Sequence, residues 1–157
     1  MQASWADAVL SRAHARGVVA RIASALGHRL SVRASPSGWT VSRAGSAPAV
    51  CRTARELAHV LRPEVEVLQE RDGADGLLQR MLTEGEHRPV TVTRGDVPAG
   101  MVRAAPDDRA RPVRPEEVIP SVLHACLLEV AGIAAPRLQL SDDEGCWILD
   151  PSSHSGG

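Results

Sequence analysis

Two stretches of this chain alternate apolar and polar residues on either side of a turn, and no other feature limits the fold so tightly. In the first, Leu30, Val32 and Ala34 alternate with Arg29, Ser31 and Arg33, the turn Ser35-Pro36-Ser37-Gly38 follows, and Trp39 and Val41 resume the period. In the second, Leu138 and Leu140 lead into a turn from Ser141 to Gly145, and Trp147 and Leu149 answer them. A period of two sends successive side chains to opposite faces of a strand. Each stretch is therefore expected to be a β-hairpin with one apolar face.

Elsewhere the period is helical. Ser4 with Asp7 is expected to cap a helix whose stripe of Ala8, Ala15, Val18, Val19, Ile22 and Leu26 runs to Gly27. Thr53 and Glu56 make a capping box for a helix carrying Ala54, Leu57, Ala58, Val60 and Leu61, expected to end at Pro63. Val65 and Val67 between Glu64 and Glu66 read as a short strand, and Leu77, Leu78, Met81 and Leu82 as a third helix closed by Gly85. Val90 and Val92 read as a further strand. Residues 95–115, with four prolines and two glycines, read as an exposed loop. Pro115, Glu116 and Glu117 then open a helix with a broad apolar face from Val118 to Val130, its regular part delayed by Pro120.

Clustered hairpins with helices between them imply an α+β fold: a mainly antiparallel sheet built from the two β-hairpins, with about four helices packed on one face. A length of 157 residues suits one domain, expected over residues 1–151, with a polar tail at 152–157. The core must be aliphatic, because the chain has no Phe or Tyr and its aromatics are Trp5, Trp39 and Trp147. That poverty argues against a reader of stacked bases. Lys and Asn are absent too, and all four missing residues have codons that begin with A/T-only doublets, so the gene is expected to come from a GC-rich genome such as that of a high-GC bacterium. Cys51, Cys126 and Cys146 are odd in number and far apart, which points to a reducing compartment and hence the cytoplasm. No run approaches the roughly 18 apolar residues of a membrane span, so no membrane partner is expected.

Charge is segregated along the chain. Residues 1–62 hold nine Arg against Asp7 and Glu56, giving +7, whereas residues 63–157 hold nine Arg against 17 acids, giving −8. Such asymmetry can mark a surface for nucleic acid, anionic lipid or an acidic protein partner, while the near cancellation favours neutralisation within the fold or across a homodimer. The candidate anion contacts are Arg12 and Arg16, four apart on one helix face, and Arg29 and Arg33 on the polar face of the first hairpin. Candidate protein contacts are Trp39, and Met101 and Val102 in the middle of the proline-rich loop.

Catalytic chemistry finds little support. His124 and Cys126 are two apart on a helix and point away from each other, with Cys126 on the buried stripe and His124 on the exposed side. Cys51 precedes His59 by eight residues without a third group to orient them. There is no CxxC or HExxH pair and no Gly-rich phosphate loop, and the acidic turn Asp142-Asp143-Glu144 lacks the ligand spacing of a calcium loop. No catalytic, cofactor-binding or metal-binding residue is assigned. The leading expectation is a non-enzymatic binding module (an adaptor, chaperone-like or regulatory protein) acting through a protein–protein interface. The alternatives are phosphate-backbone nucleic-acid binding by the Arg-rich N-terminal half, and a small enzyme whose site gathers dispersed Cys51, His59, His87 or His124.

Overall fold

The computed structural model describes residues 5–85, 102–103, 110–135, 137–142 and 145–149. The chain is an α+β fold. The first hairpin forms as β1 (Leu30–Ser35) and β2 (Gly38–Arg43), antiparallel, with Leu30 opposite Arg43 and Val32 opposite Val41. A third strand, β3 (Ala49–Cys51), adds to β2 and completes an antiparallel sheet in the order β1-β2-β3. The second hairpin forms as β6 (Leu138–Asp142) and β7 (Gly145–Leu149), with Leu140 opposite Trp147.

The two hairpins do not share one sheet. The second sits in a separate sheet of order β4-β7-β6-β5, where β4 is Val102–Arg103 and β5 is Arg111–Pro112. Both short strands fall inside the segment read as a loop. The edge strand β5 runs parallel to β6, which its own hairpin cannot supply.

The N-terminal helix is divided into α1 (Trp5–Leu10) and α2 (Ala13–Ser24), because Arg12 between them is extended, at φ −65° and ψ 145°. Asp7 serves another helix: its Oδ1 accepts from the backbone N–H of Ala54, the first residue of α3 (Ala54–Gly85). The expected capping box is present beside it, with the Glu56 N–H donating to Thr53 Oγ1 at 3.0 Å and Glu56 Oε2 accepting from the Arg52 N–H at 2.8 Å.

Helix α3 corrects three readings. It does not end at Pro63, Val65 and Val67 are not a strand, and the helix expected around Leu77 is its continuation. A proline inside a helix costs about 3 kcal/mol or more, but Leu57, Leu61, Val65 and Leu68 form one buried stripe across it, each contributing about 1.5–3 kcal/mol. Burial wins, and Val67 lies off the stripe at 63% exposure. The break comes instead at Gly73, whose φ of 77° and ψ of 173° are non-helical.

Helix α4 (Val118–Val130) follows a 3-10 turn at Pro115–Glu117. Pro120 falls in its first turn, where no N–H is needed, and does not delay it. Every residue from Val118 to Leu128 is buried, as befits a helix apolar nearly all round. It packs against α1, α2 and α3, so the helices are wrapped around α4 and do not simply cover one face of a sheet. His124, expected on the exposed side, is 3% exposed. One buried cluster joins Val9, Trp39, Leu61, Leu123 and Leu140. Among the described residues no helix is long and apolar enough to cross a membrane. The strand expected at Val90 and Val92, and the tail at 152–157, lie outside the described residues.

Candidate functional site

A cleft of about 640 Å³ opens where the end of α2, the start of β1, the end of β2 and one face of α3 meet. Helix α2 stops at Ser24, and the chain turns through Gly27 and Arg29 into β1. Arg29 has a φ of 64°, in the left-handed region that side chains with a Cβ rarely adopt. Strain of this kind persists only where the surroundings impose it and gathers at functional positions. Gly27 allows α3 to approach: a Cβ there would lie 2.9 Å from Glu64 Cγ.

The floor is apolar, formed by Leu26, Leu30, Pro63 and Leu68, with the exposed Val67 at its edge. One wall is an ion pair. Arg43 Nε donates to Glu64 Oε1 at 3.1 Å and Oε2 at 3.3 Å, and Nη2 bonds the same carboxylate. Nη2 also donates to the Val60 carbonyl at 2.5 Å, next to the His59 carbonyl that Pro63 leaves without its helical N–H donor. Arg43 thus closes its own charge and braces the helix across the proline.

The rim carries charge that is not closed. Arg29 is exposed and has no hydrogen-bond or ion-pair partner among the described residues. Arg80 is exposed, and the bond it makes among the described residues is from Nε to the Ala25 carbonyl at 2.9 Å. Arg71 pairs with the adjacent Asp72 at 3.2 Å, both exposed, an attachment worth little in water. His28 completes the rim. Three guanidinium groups over an apolar floor can hold carboxylates while apolar side chains enter between them.

Of the anion contacts expected from sequence, only Arg29 lines this cleft. Arg33 is exposed on β1, opposite Thr40 and beyond the face that buries Leu30 and Val32. Arg16 turns back on its own segment, with Nη1 donating to the Ser11 carbonyl at 2.8 Å, and Arg12 sits at the start of α2 with interactions of its own. The four arginines therefore do not form one patch. Alternation at residues 64–67 reads as a strand in the sequence and so hides the helical spacing that sets Glu64, Leu68 and Arg71 on one face of α3.

Trp39, expected as a protein contact, packs inside the fold. Its ring is fully buried and its Nε1–H donates to the Arg16 carbonyl at 3.1 Å, so it is a core residue. Val102 lies in β4, opposite Leu149, and Met101 lies outside the described residues.

Among the described residues no hydrogen bond joins the dispersed thiol and imidazole groups to one another. Cys51 is buried, and burial, with the charge of Glu56, pushes its thiol up from the usual range, the reverse of activation. Burial likewise pushes Cys126 up to about 12. His59 is exposed on α3, His124 is buried within α4, and His87 lies outside the described residues. Among the described residues no three His, Cys, Asp or Glu side chains gather as a metal site. No family model matches the chain, and no match is found among curated proteins or solved structures.

Proposed function

We propose that the protein is a non-enzymatic binding module whose cleft receives an acidic, partly apolar segment of a partner protein. One observation carries this reading: Arg29, Arg71 and Arg80 line a cleft with an apolar floor, while Glu64, the one acid among its described lining residues, is already paired with Arg43. Carboxylates of the partner meet the rim and its aliphatic side chains cover Leu26, Leu30, Val67 and Leu68. The strained backbone at Arg29 supports the same reading, because it holds a charged side chain at the mouth where glycine would be easier.

The test is a titration of fluorescently labelled peptides of about fifteen residues, rich in Glu and Leu, against the whole chain. Saturable binding, lost in Arg29→Glu and Arg71→Glu proteins that melt normally, supports the cleft. A Lys-for-Glu version of the peptide binding equally well would sink it. A second reading, a phosphate backbone as partner, is favoured by Arg33 and Ser31, both exposed on the outer face of β1. It requires a steep loss of affinity with salt, about one unit of log–log slope per phosphate neutralised, and sensitivity to Arg33→Glu, a residue that does not line the cleft.

A further inference from the structure

An acidic, partly apolar segment of the chain itself stands beside the cleft. Before its break at Gly73, α3 presents Pro63, Glu66, Val67, Glu70 and Arg71 to solvent, all of them exposed. Helical rotation of about 100° per residue orders them within an arc of about 140°: Glu66 and Glu70 on one flank, Pro63 and Val67 along the middle, Arg71 on the other flank. Pro63, Val67 and Arg71 line the cleft, and Glu66 and Glu70 do not. One helix face therefore carries an acidic flank and, across an apolar middle, part of the rim that takes acids.

The acids are available. Glu66 holds Arg62 at 2.8 Å, but both side chains are about half exposed and the attachment is weak. Glu70 has no hydrogen-bond or ion-pair partner among the described residues. Val67 and Val50 are the exposed large aliphatic side chains among those residues. Val50 lies on the outer face of the first sheet, in a row with Thr40 and Arg33. Strands β1, β2 and β3 contain no acid, so two copies of that face would set arginine against arginine. The outer edge of β1 is closed as well, because Ser24 Oγ takes the Val32 N–H at 2.9 Å. The Val67 face, by contrast, complements itself, as a two-fold interface requires. With a net charge of −1, two copies also approach without strong mutual repulsion.

We propose that the partner received at the cleft is a second copy of this chain, with residues 66–70 of α3 as the acidic segment. This rests on the reading of the cleft as a receptor for such segments. Symmetry fixes the arrangement. A two-fold axis across α3 would lay acidic flank on acidic flank, whereas one running along α3 sets Glu66 and Glu70 of each copy against Arg71 of the other. The two helices are then parallel, with Val67 against Val67.

Sedimentation equilibrium of the whole chain over roughly 1–500 μM, the range of weak to moderate association, tests this. The expected result is a reversible dimer that the Glu- and Leu-rich peptide dissociates. Glu70→Arg and Arg71→Glu, both at exposed helix positions, should melt normally. Each should weaken self-association at least about tenfold, since like charges then meet twice per dimer. An equimolar mixture of the two variants should restore the dimer, because each then supplies the charge the other lacks. Glu70 lies outside the cleft, so Glu70→Arg should still bind the peptide. A monomer at every concentration, a dimer the peptide leaves intact, undiminished association of Glu70→Arg, or no association in the mixture overturns the self-association. If the peptide still binds in those cases, the reading of the cleft stands. A Glu70→Arg monomer that binds no peptide overturns that reading and this inference with it.

Discussion

Arg43 and Glu64 join the end of β2 to α3 through a forked ion pair that is half-buried on the arginine side and more deeply buried on the glutamate side, with side-chain exposures of 33% and 15%. Removing one partner leaves the other charge desolvated and alone, the costly direction of such a change. Glu64→Gln should therefore destabilise the protein by about 1–2 kcal/mol in urea unfolding, a figure already reduced for solvent screening at Arg43. Glu64→Gln with Arg43→Met together should cost less than the sum of the two. Strict additivity would mean that the pair contributes no coupling.

Gly27 faces the same glutamate. Because an added Cβ would lie 2.9 Å from Glu64 Cγ and 3.3 Å from Leu30 Cβ, Gly27→Ala should cost about 1 kcal/mol, the usual scale of modest overpacking. In a Glu64→Ala background most of that penalty should vanish. If it persists in full, Leu30 and not Glu64 is the obstacle.

Arg29 sets stability against binding. Arg29→Gly relieves a left-handed conformation and should raise stability by up to about 1 kcal/mol, while weakening the acidic peptide. Arg29→Ala keeps the strain and loses the charge, so it should weaken the peptide without the gain. Equal stability of the two variants would show that the backbone at Arg29 relaxes freely.

Burial, only partly offset by the bond to the Ala74 carbonyl, holds the His124 pKa below its ordinary value. The unfolded chain then binds this proton more readily than the folded one, so stability is full above about pH 6.5 and falls as pH drops toward the folded value, with a slope limited to about 1.4 kcal/mol per pH unit. Urea midpoints at pH 8, 6 and 5 should show the decline, and His124→Phe should flatten it. Glu117 acts lower on the scale: burial raises its carboxyl, but hydrogen bonds and charge from Arg114, with the charge of Arg111, outweigh that and bring it down. Its share of stability is present above about pH 4.5 and lost as pH falls further.

Thiol labelling separates the cysteines. Cys51 and Cys126 are buried, whereas Cys146 is partly exposed. Iodoacetamide at pH 8 should modify Cys146 first in the native protein and all three only after unfolding, with peptide mapping as the readout. Rapid native labelling of Cys51 would reopen the reading of a thiol enzyme.

Local chemistry alone determined both hairpins and the start of α3. Alternation at Leu30–Val32 and Leu138–Leu140 needs only neighbours along the strand, and the Thr53–Glu56 box is complete within four residues. Tertiary structure decided what each apolar face meets. Pro63 would end an isolated helix, yet α3 passes through it because the stripe from Leu57 to Leu68 is buried against the core and Arg43, far away in sequence, takes up the Val60 carbonyl. His124 is buried because α1, α2 and α3 pack around α4, and its Nε2 finds the Ala74 carbonyl, one residue past the break at Gly73. The rim of the cleft likewise exists only in three dimensions, where Arg80 reaches Ala25 across 55 residues of chain. Sequence periodicity records which side of an element is apolar, but not which distant surface will cover it.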